Sequence, residues 1–332
     1  MVTGIELFAG CGGMALGFQN AGIQHIMLNE IDSDAVQTLK ENFKTKIIQD
    51  DIKNIDFSGY TVDVVSGGFP CQAFSYAGKR LGFADTRGTL FFEFARCINE
   101  CKPKIIVGEN VIGLLTHDNG KTFSIILNVL DEIGYNVTFK VLNAKYYDVP
   151  QSRERLIIIG LRKDLVLNFN FPKKRKPIPL KIALENCPVS DGYDYPEKKK
   201  RLFEMIPQGR NWEALPTHLQ KRYMGFKKHC RGNTGGNTGV LRRLALNEPC
   251  PTLLCSPIQK ATEFCHPIET RPLTIREYAR IQTFPDDFIF KGSLASQYKQ
   301  IGNAVPVKLA EAIGNSIVNC LNGNTISIFS AF

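Results

Sequence analysis

The sequence has no long hydrophobic run. Its longest apolar stretch, Leu156 to Leu161, is interrupted by Gly160 and falls far below the roughly 20 residues a membrane span needs, so no membrane partner is expected. It also lacks a basic n-region followed by a cleavable apolar segment, and therefore reads as cytoplasmic rather than secreted. No internal repeat is visible. With 43% apolar and 22% charged residues, disordered, collagen-like and coiled-coil chains are excluded, and 332 residues suit one large or two modest domains. Outside an oxidising compartment, the ten cysteines are expected as thiols. Cys230, Cys250, Cys255, Cys265 and His266 lack a paired C-x₂-C knuckle, so no metal site is expected.

What is present is a localised charge. The chain carries 41 Lys plus Arg against 32 Asp plus Glu, a net charge of +9. Residues 1–160 have 15 basic and 18 acidic side chains, whereas residues 171–270 have 18 and 9, so the central segment alone carries the whole surplus. Its clusters, Lys173-Lys174-Arg175-Lys176, Lys198-Lys199-Lys200-Arg201, Lys221-Arg222 and Lys227-Lys228, suit a surface that neutralises phosphates. Taken alone, such runs are also compatible with an ordinary solvated face.

Apolar, β-prone runs alternate with helical patterns through the first half. Ile5–Phe8, Gln24–Leu28, Lys46–Gln49, Val62–Ser66, Ile105–Gly108, Asn136–Val141 and Leu156–Gly160 read as strands; Ala15–Ala21, Ser33–Phe43, Thr89–Cys101 and Thr122–Ile133 read as helices. The rhythm predicts an α/β fold, a Rossmann-like doubly wound and mostly parallel sheet covered on both faces. Residues 171–270 lose it. They hold most of the 17 prolines and a Gly/Asn-rich run from Gly232 to Gly239, the marks of a smaller, loop-rich domain. Helical periodicity returns at Thr274–Gln282 and Val307–Leu321. The expected division is a catalytic and cofactor-binding domain over 1–170, completed by 300–325, and a small recognition domain with its hinge over 171–299.

Gly10-Cys11-Gly12-Gly13-Met14-Ala15 follows the first strand and opens the first helix, the G-x-G-x-x-G/A arrangement that lets a nucleotide approach the backbone. Glu30 ends the second strand 20 residues later, where a carboxylate accepts from ribose hydroxyls. This spacing fits NAD and S-adenosylmethionine equally, since both carry an adenosine. Asp51-Ile52 after the third strand could hold the adenine or simply cap a turn.

Gly67-Gly68-Phe69-Pro70-Cys71-Gln72 puts a thiol in a tight turn at the carboxyl end of a parallel strand, where reacting groups collect. Lys79, Arg80 and Arg87 follow in a glycine-punctuated stretch suited to a lid. Glu109-Asn110-Val111 ends another strand on the expected same edge, where burial favours the protonated form a proton donor needs. Gln151-Ser152-Arg153-Glu154-Arg155 sets two guanidinium groups at i and i+2, fit for a base carbonyl, a carboxylate or a phosphate.

Together these blocks resemble the cytosine-5 DNA methyltransferase family, in motif content and in order. Phe8–Gly17 looks like its cofactor loop, Glu30 like its ribose-binding acid and Gly67–Gln72 like the block carrying its nucleophile. Glu109-Asn110-Val111, Gln151–Arg155, Arg271–Glu277 and Gly302–Pro306 match further blocks, and Thr252-Leu253 resembles the short marker of its variable target-recognition domain. The resemblance implies methyl transfer from S-adenosylmethionine to C5 of a flipped-out cytosine in a specific sequence of double-stranded DNA. Cys71 adds to C6, Glu109 serves N3 and Arg155 serves O2, with Arg153 in support. Phe8, Ala9, Gly10, Cys11, Gly12, Gly13, Glu30, Asp51, Ile52, Pro70, Leu90 and Asn303 would line the cofactor pocket. Cys11 departs from the larger aliphatic residue common at its position. Arg80, Arg231, Arg242 and Arg243 are the candidates for DNA contacts.

A monomer of the prokaryotic restriction-modification type is implied, with a cognate endonuclease as functional companion. The competing readings are a transferase acting on transfer RNA, a catalytically silent DNA-binding module and an NAD oxidoreductase. The last two assign no role to Pro-Cys-Gln.

Overall fold

The computed structural model describes residues 1–70, 90–220, 239–259 and 263–323. In chain order the strands are β1 Val2–Leu7, β2 Ile23–Glu30, β3 Lys46–Gln49, β4 Val64–Gly67, β5 Ile105–Asn110, β6 Tyr135–Asn143, β7 Gln151–Ser152, β8 Glu154–Arg162, β9 Arg242–Arg243, β10 Cys250–Pro251 and β11 Phe264–Cys265. The helices are α1 Gly13–Asn20, α2 Ser33–Asn42, α3 Leu90–Cys101, α4 Lys121–Glu132, α5 Lys181–Leu184, α6 Glu197–Glu204, α7 Thr217–Gln220, α8 Ile275–Ile281, α9 Leu294–Asn303 and α10 Val307–Leu321. Two compact units result. The first comprises 1–144, 154–174 and 305–332; the second comprises 145–153 and 175–304.

The first unit is built on a seven-stranded sheet in the order β3-β2-β1-β4-β5-β8-β6. Strands β1 to β5 pair in parallel, and β8 runs antiparallel between β5 and β6. This is the mostly parallel α/β sheet that the alternating pattern predicts. The near-continuous apolar strands are buried on both faces, as in the fully covered Ile105–Val107 and Leu156–Ile159 runs. Helix α2 starts where Asp32 accepts from the Asp34 and Ala35 amides, a side-chain cap on otherwise orphan donors. Strand order reverses between β1 and β4, so their carboxyl ends flank the crevice in which doubly wound sheets bind ligands.

Helix α10 closes this unit by lying against α1. A Cβ on Gly17 would stand 2.4 Å from the Val307 carbonyl oxygen, and one on Gly314 would stand 2.7 Å from Ala21 Cβ. Glycine at these two positions is what lets the helices approach so closely. The C-terminal helical pattern thus belongs with the N-terminal sheet.

Among the described residues the second unit has little sheet, only the two-residue pairs β7 with β10 and β9 with β11. Its interior is a cluster of Tyr195, Phe203, Ile206, Trp212, Leu215, Val240 and Leu241. Helix α8 carries a full capping box, in which Thr274 and Glu277 bond reciprocally to each other's backbone. Among the described residues no helix is long and apolar enough to cross a membrane, and the eight described cysteines are all thiols.

Candidate active site

In the first unit, the turn after β1 bends through Phe8, Gly10 and Gly12, with φ of 56°, 55° and 88°. The two glycines are required for different reasons. A Cβ on Gly12 would lie 2.5 Å from the Phe43 ring, whereas one on Gly10 would meet nothing within 4 Å. Gly12 therefore packs the turn onto the protein, and Gly10 faces open space. The Gly10 amide donates to Glu30 Oε2 at 2.7 Å, and Glu30 Oε1 accepts from the Ile31 and Asp32 amides at 2.8 and 2.9 Å. The carboxylate at the end of β2 is thereby held against the turn with acceptor capacity remaining, as recognition of a ribose requires.

Ala9, Cys11 and Gly13 are buried in the turn, and Phe8 is half-buried. Burial pushes the Cys11 thiol up to about 12, so it is an inert neutral group. Asp51 accepts from the Lys53 amide at 3.1 Å and begins the 3₁₀ turn Ile52–Asn54. It is a cap in fact, and Ile52 is buried behind it. Arg96 of α3 fixes this turn by donating to the Ile52 and Ile55 carbonyls at 2.7 and 2.9 Å.

At the neighbouring strand ends, Glu109 Oε1 lies 2.8 Å from Arg155 Nε, both side chains being 13% exposed. A Cβ on Gly68 would be 3.0 Å from Glu109 Oε2, so this ion pair sits directly over the Gly68-Phe69-Pro70 turn that leads into Cys71. Asn110 ties that turn down by donating to the Phe69 carbonyl at 2.7 Å. The Phe69 ring packs between Phe91 and Phe94 of α3, with centroids 5.3 and 5.5 Å away. Leu90 begins α3 half-buried, and Pro70 is exposed. The carboxyl ends of β1, β2, β4 and β5 thus bring Gly10, Glu30, Gly68 to Pro70 and Glu109 to one edge of one unit, and the antiparallel β8 adds Arg155 there from its amino end. Cys71, Gln72, Lys79, Arg80, Arg87, Cys230, Arg231 and the Gly/Asn-rich run through Thr238 lie outside the described residues.

The second unit gathers three other blocks. Gln151 accepts from the Leu253 amide at 2.9 Å and donates to Gln282 Oε1 at 2.8 Å; Gln282 in turn donates to the Ile301 and Ala304 carbonyls. Arg153, 1% exposed, donates to the Leu253 and Gly302 carbonyls at 3.0 and 2.7 Å. Thr252 bonds to the Ser152 carbonyl, and the Cys255 thiol donates to Asn303 Oδ1 at 3.0 Å. Arg153 therefore joins the Leu253 and Gly302 segments to the chain beside β7. Asn303 is exposed in this unit.

Two readings of the basic segment change. Arg243 is 6% exposed, and its guanidinium donates to the Phe203, Ile206, His266, Ile268 and Glu269 carbonyls and to Thr270 Oγ1. A group so committed inside the unit has no protons left for a base edge; its assignment as a DNA-contacting residue is corrected. Arg242, beside it on β9, is half-buried. Part of the positive surplus is also neutralised locally, Lys199 by Glu263 at 2.5 Å, Lys200 by Asp194 at 2.6 Å, and Arg175 by Asp148. Lys173, Lys174, Lys176, Lys198 and Arg201 are exposed.

Gln282 and Glu6 escape a motif reading. Gln282 is a buried polar group whose partners, Gln151 and the Ile301 and Ala304 carbonyls, are distant in sequence, which no periodicity reveals. Glu6 has a signal, being the one ionisable residue in the apolar strand Val2–Leu7. Among the described residues no group of three or more His, Cys, Asp or Glu side chains could hold a metal ion.

The doubly wound sheet, with the glycine turn and the acid of β2 at its carboxyl edge, is an α/β fold of the kind that binds ligands at the switch point of the sheet. The model of the C-5 cytosine-specific DNA methylase family matches residues 2–319. The chain belongs to that family and is a DNA (cytosine-5)-methyltransferase. It is 52% identical to the Type II methyltransferase M.Eco47II of Escherichia coli, over 96% of this chain and 79% of that one. It is 49% identical to M.Sau96I of Staphylococcus aureus, over 96% and 76%. Among solved structures, a protein described as a prophage-encoded DNA modification methyltransferase (E. coli) aligns with a TM-score of 0.70 at 26% identity, covering 97% of this chain and all of that one. The Spodoptera frugiperda DNMT2 structure aligns at 0.64 and 20% identity, over 96% of this chain and all of that one, a likeness of fold alone.

Proposed function

We propose that this enzyme methylates C5 of a flipped-out cytosine within a short, specific duplex sequence, using S-adenosyl-L-methionine, as the modification half of a Type II restriction-modification system. The observation that carries the reading is the Glu109–Arg155 pair over Gly68, immediately before Cys71 and on the strand ends that also carry Gly10 and Glu30. The residues fit the cofactor: Gly10 leaves open the space a side chain would fill, and Glu30 is an acceptor held beside it. When bound, adenosylmethionine supplies an electrophilic methyl on a sulfonium.

C5 of cytosine is too weak a nucleophile to take that methyl unaided. The Cys71 thiolate adds to C6, which makes C5 an enamine carbon, while Glu109 holds a proton at N3 and Arg155 holds O2. After C5 is methylated, its proton is lost to a base and the C6–S bond breaks, returning the thiolate. Both carbons are shielded in a stacked duplex, which is why the base must be extruded. The exposed lysines of the central segment suit the phosphate backbone. The Type II names of the relatives support a cognate endonuclease as functional companion; the enzyme of this proposal is a monomer that works on the chromosome in the cytoplasm.

The test is a duplex carrying 5-fluorocytosine at the target, whose C5 fluorine cannot leave as a proton. With adenosylmethionine present, a denaturation-stable protein–DNA adduct is expected for the intact enzyme and none for Cys71→Ala. Absence of any adduct on methylatable DNA would remove the C6 addition step. Transfer to RNA but not to duplex DNA in a labelled-methyl assay would overturn the substrate.

A further inference from the structure

Beneath the glycine turn lies a polar joint that the reaction does not use. Glu6 is 1% exposed in the middle of β1, an expensive place for a carboxyl group. Its position answers a specific need. Helix α1 begins at Gly12, which has no side chain to cap it, so the amides of its first turn must find acceptors elsewhere. The Ala15 amide finds the Glu6 carboxyl, approached from inside the sheet. The Ser66 hydroxyl, on the strand that leads to Gly68, lies against the same carboxyl and donates to the neighbouring Ile5 carbonyl at 3.4 Å. From β2, the strand that leads to Glu30, His25 Nε2 stands 3.6 Å from Glu6 Oε2. The His25 ring lies parallel to Phe18 of α1, at 6.3 Å and 3°. One buried carboxyl therefore lies where the start of α1, β2 and β4 meet β1.

We propose that Glu6 is the positioning residue of the cofactor turn, a buried polar joint that ties the start of α1 to β1 and β4, with the His25 ring of β2 packed against it. The inference rests on the adenosylmethionine reading above. Glu6 Oε2 and both ring nitrogens of His25 have no hydrogen-bond partner among the described residues, so the joint tolerates uncharged groups and no others. Burial accordingly pushes Glu6 up to about 8 and His25 down to about 4. The other titratable groups facing it are the Cys11 thiol in the turn and, acting on that thiol, Glu30; neither supplies a positive charge to an ionised Glu6.

The sign follows directly. Folded protein keeps a proton on Glu6 that the unfolded chain releases from its ordinary value of 4.5 upward, so this group's stabilisation is complete below 4.5 and is lost as pH rises to about 8. Above that, an uncompensated carboxylate under α1 loosens the turn.

The experiment compares the full-length enzyme with Glu6→Gln and Glu6→Leu. Adenosylmethionine affinity is measured by calorimetry, and thermal unfolding without ligand is followed, both from pH 6 to pH 9. Glu6→Gln keeps an acceptor for Ala15 and cannot ionise. Its affinity is expected within about twofold of the parent at pH 7 and about tenfold tighter than the parent at pH 9, one unit above the titration. The comparison cancels titration of the ligand's own amine. Glu6→Leu, which removes the acceptor, is expected to bind about tenfold more weakly at every pH. If Glu6→Gln follows the parent's pH dependence in both affinity and unfolding, the proposal is overturned, whether or not Glu6→Leu folds. If the parent binds no adenosylmethionine at any pH, the cofactor reading falls instead, while a pH-dependent difference in unfolding midpoint would still identify the joint.

Discussion

Arg155 Nε meets Glu109 Oε1 at 2.8 Å across β8 and β5, directly above the backbone of Gly68. Each partner holds the other in place beside the turn leading into Cys71, so the pair is expected to act as a unit. Glu109→Gln keeps the shape but gives up the proton that the reading assigns to N3. A fall in single-turnover methyl transfer of about 10² to 10⁴ is expected, with duplex affinity within about threefold of the parent. Arg155→Lys, which cannot reproduce the directed Nε bond, should show a comparable loss, and the double variant should lose little more than either single one. Fully additive losses would show that the two side chains act separately.

The two glycines of the cofactor turn separate packing from binding. Gly12→Ala introduces a Cβ 2.5 Å from Phe43 at φ 88° and should destabilise the enzyme by about 2 to 4 kcal/mol in denaturant unfolding. Gly10→Ala is strained only by its φ of 55°, a cost of about 1 kcal/mol. Its methyl, however, points into open space, which the proposed cofactor would fill. Adenosylmethionine affinity should fall at least tenfold in Gly10→Ala at nearly parental stability, and unchanged affinity would move the ligand away from this turn.

Arg243 should behave as part of the interior. Arg243→Met leaves several buried carbonyls without a donor, and a loss of about 3 kcal/mol or more is expected, visible as early proteolysis within residues 175–304. Arg242→Ala should leave unfolding unchanged and weaken cognate duplex binding by about tenfold. A stable Arg243→Met enzyme with altered sequence preference would restore Arg243 to the DNA surface.

These cases mark what a sequence can disclose. The strands of the large sheet and the Gly10 to Glu30 spacing are legible because each depends on neighbours within a few residues or on a strand-helix rhythm. Arg243 is not. Its dibasic context is that of a DNA contact, and only the carbonyls of Phe203, Ile206 and residues 266 to 269, brought in by the fold, convert it into an interior tie. Gln282 is hidden for the same reason, since its partners Gln151 and Ile301 are 131 and 19 residues away. Arg153 sits between these cases: its motif points to the site, but its burial assigns it to holding Leu253 and Gly302.

His266 makes the second unit sensitive to acid. Its unprotonated Nδ1 accepts from the Ile268 and Glu269 amides at 3.3 and 3.0 Å, which leaves the ring proton on Nε2, facing Glu277 Oε1 at 3.6 Å. Burial lowers its proton affinity; Glu277 and Glu269 oppose this, and Arg271 and Arg243 add to it. The unfolded chain takes up a proton near the ordinary value of 6.5 before the folded protein does. The resulting stabilisation is present above that value and is lost as pH falls toward the lower folded one. Protonating Nδ1 also breaks both amide bonds, which close the 266–270 turn that supplies Arg243 with acceptors. His266→Asn keeps an acceptor without the titration, so its unfolding midpoint should fall less than the parent's between pH 6.5 and pH 5. Parallel curves for the two proteins would place the acid sensitivity elsewhere.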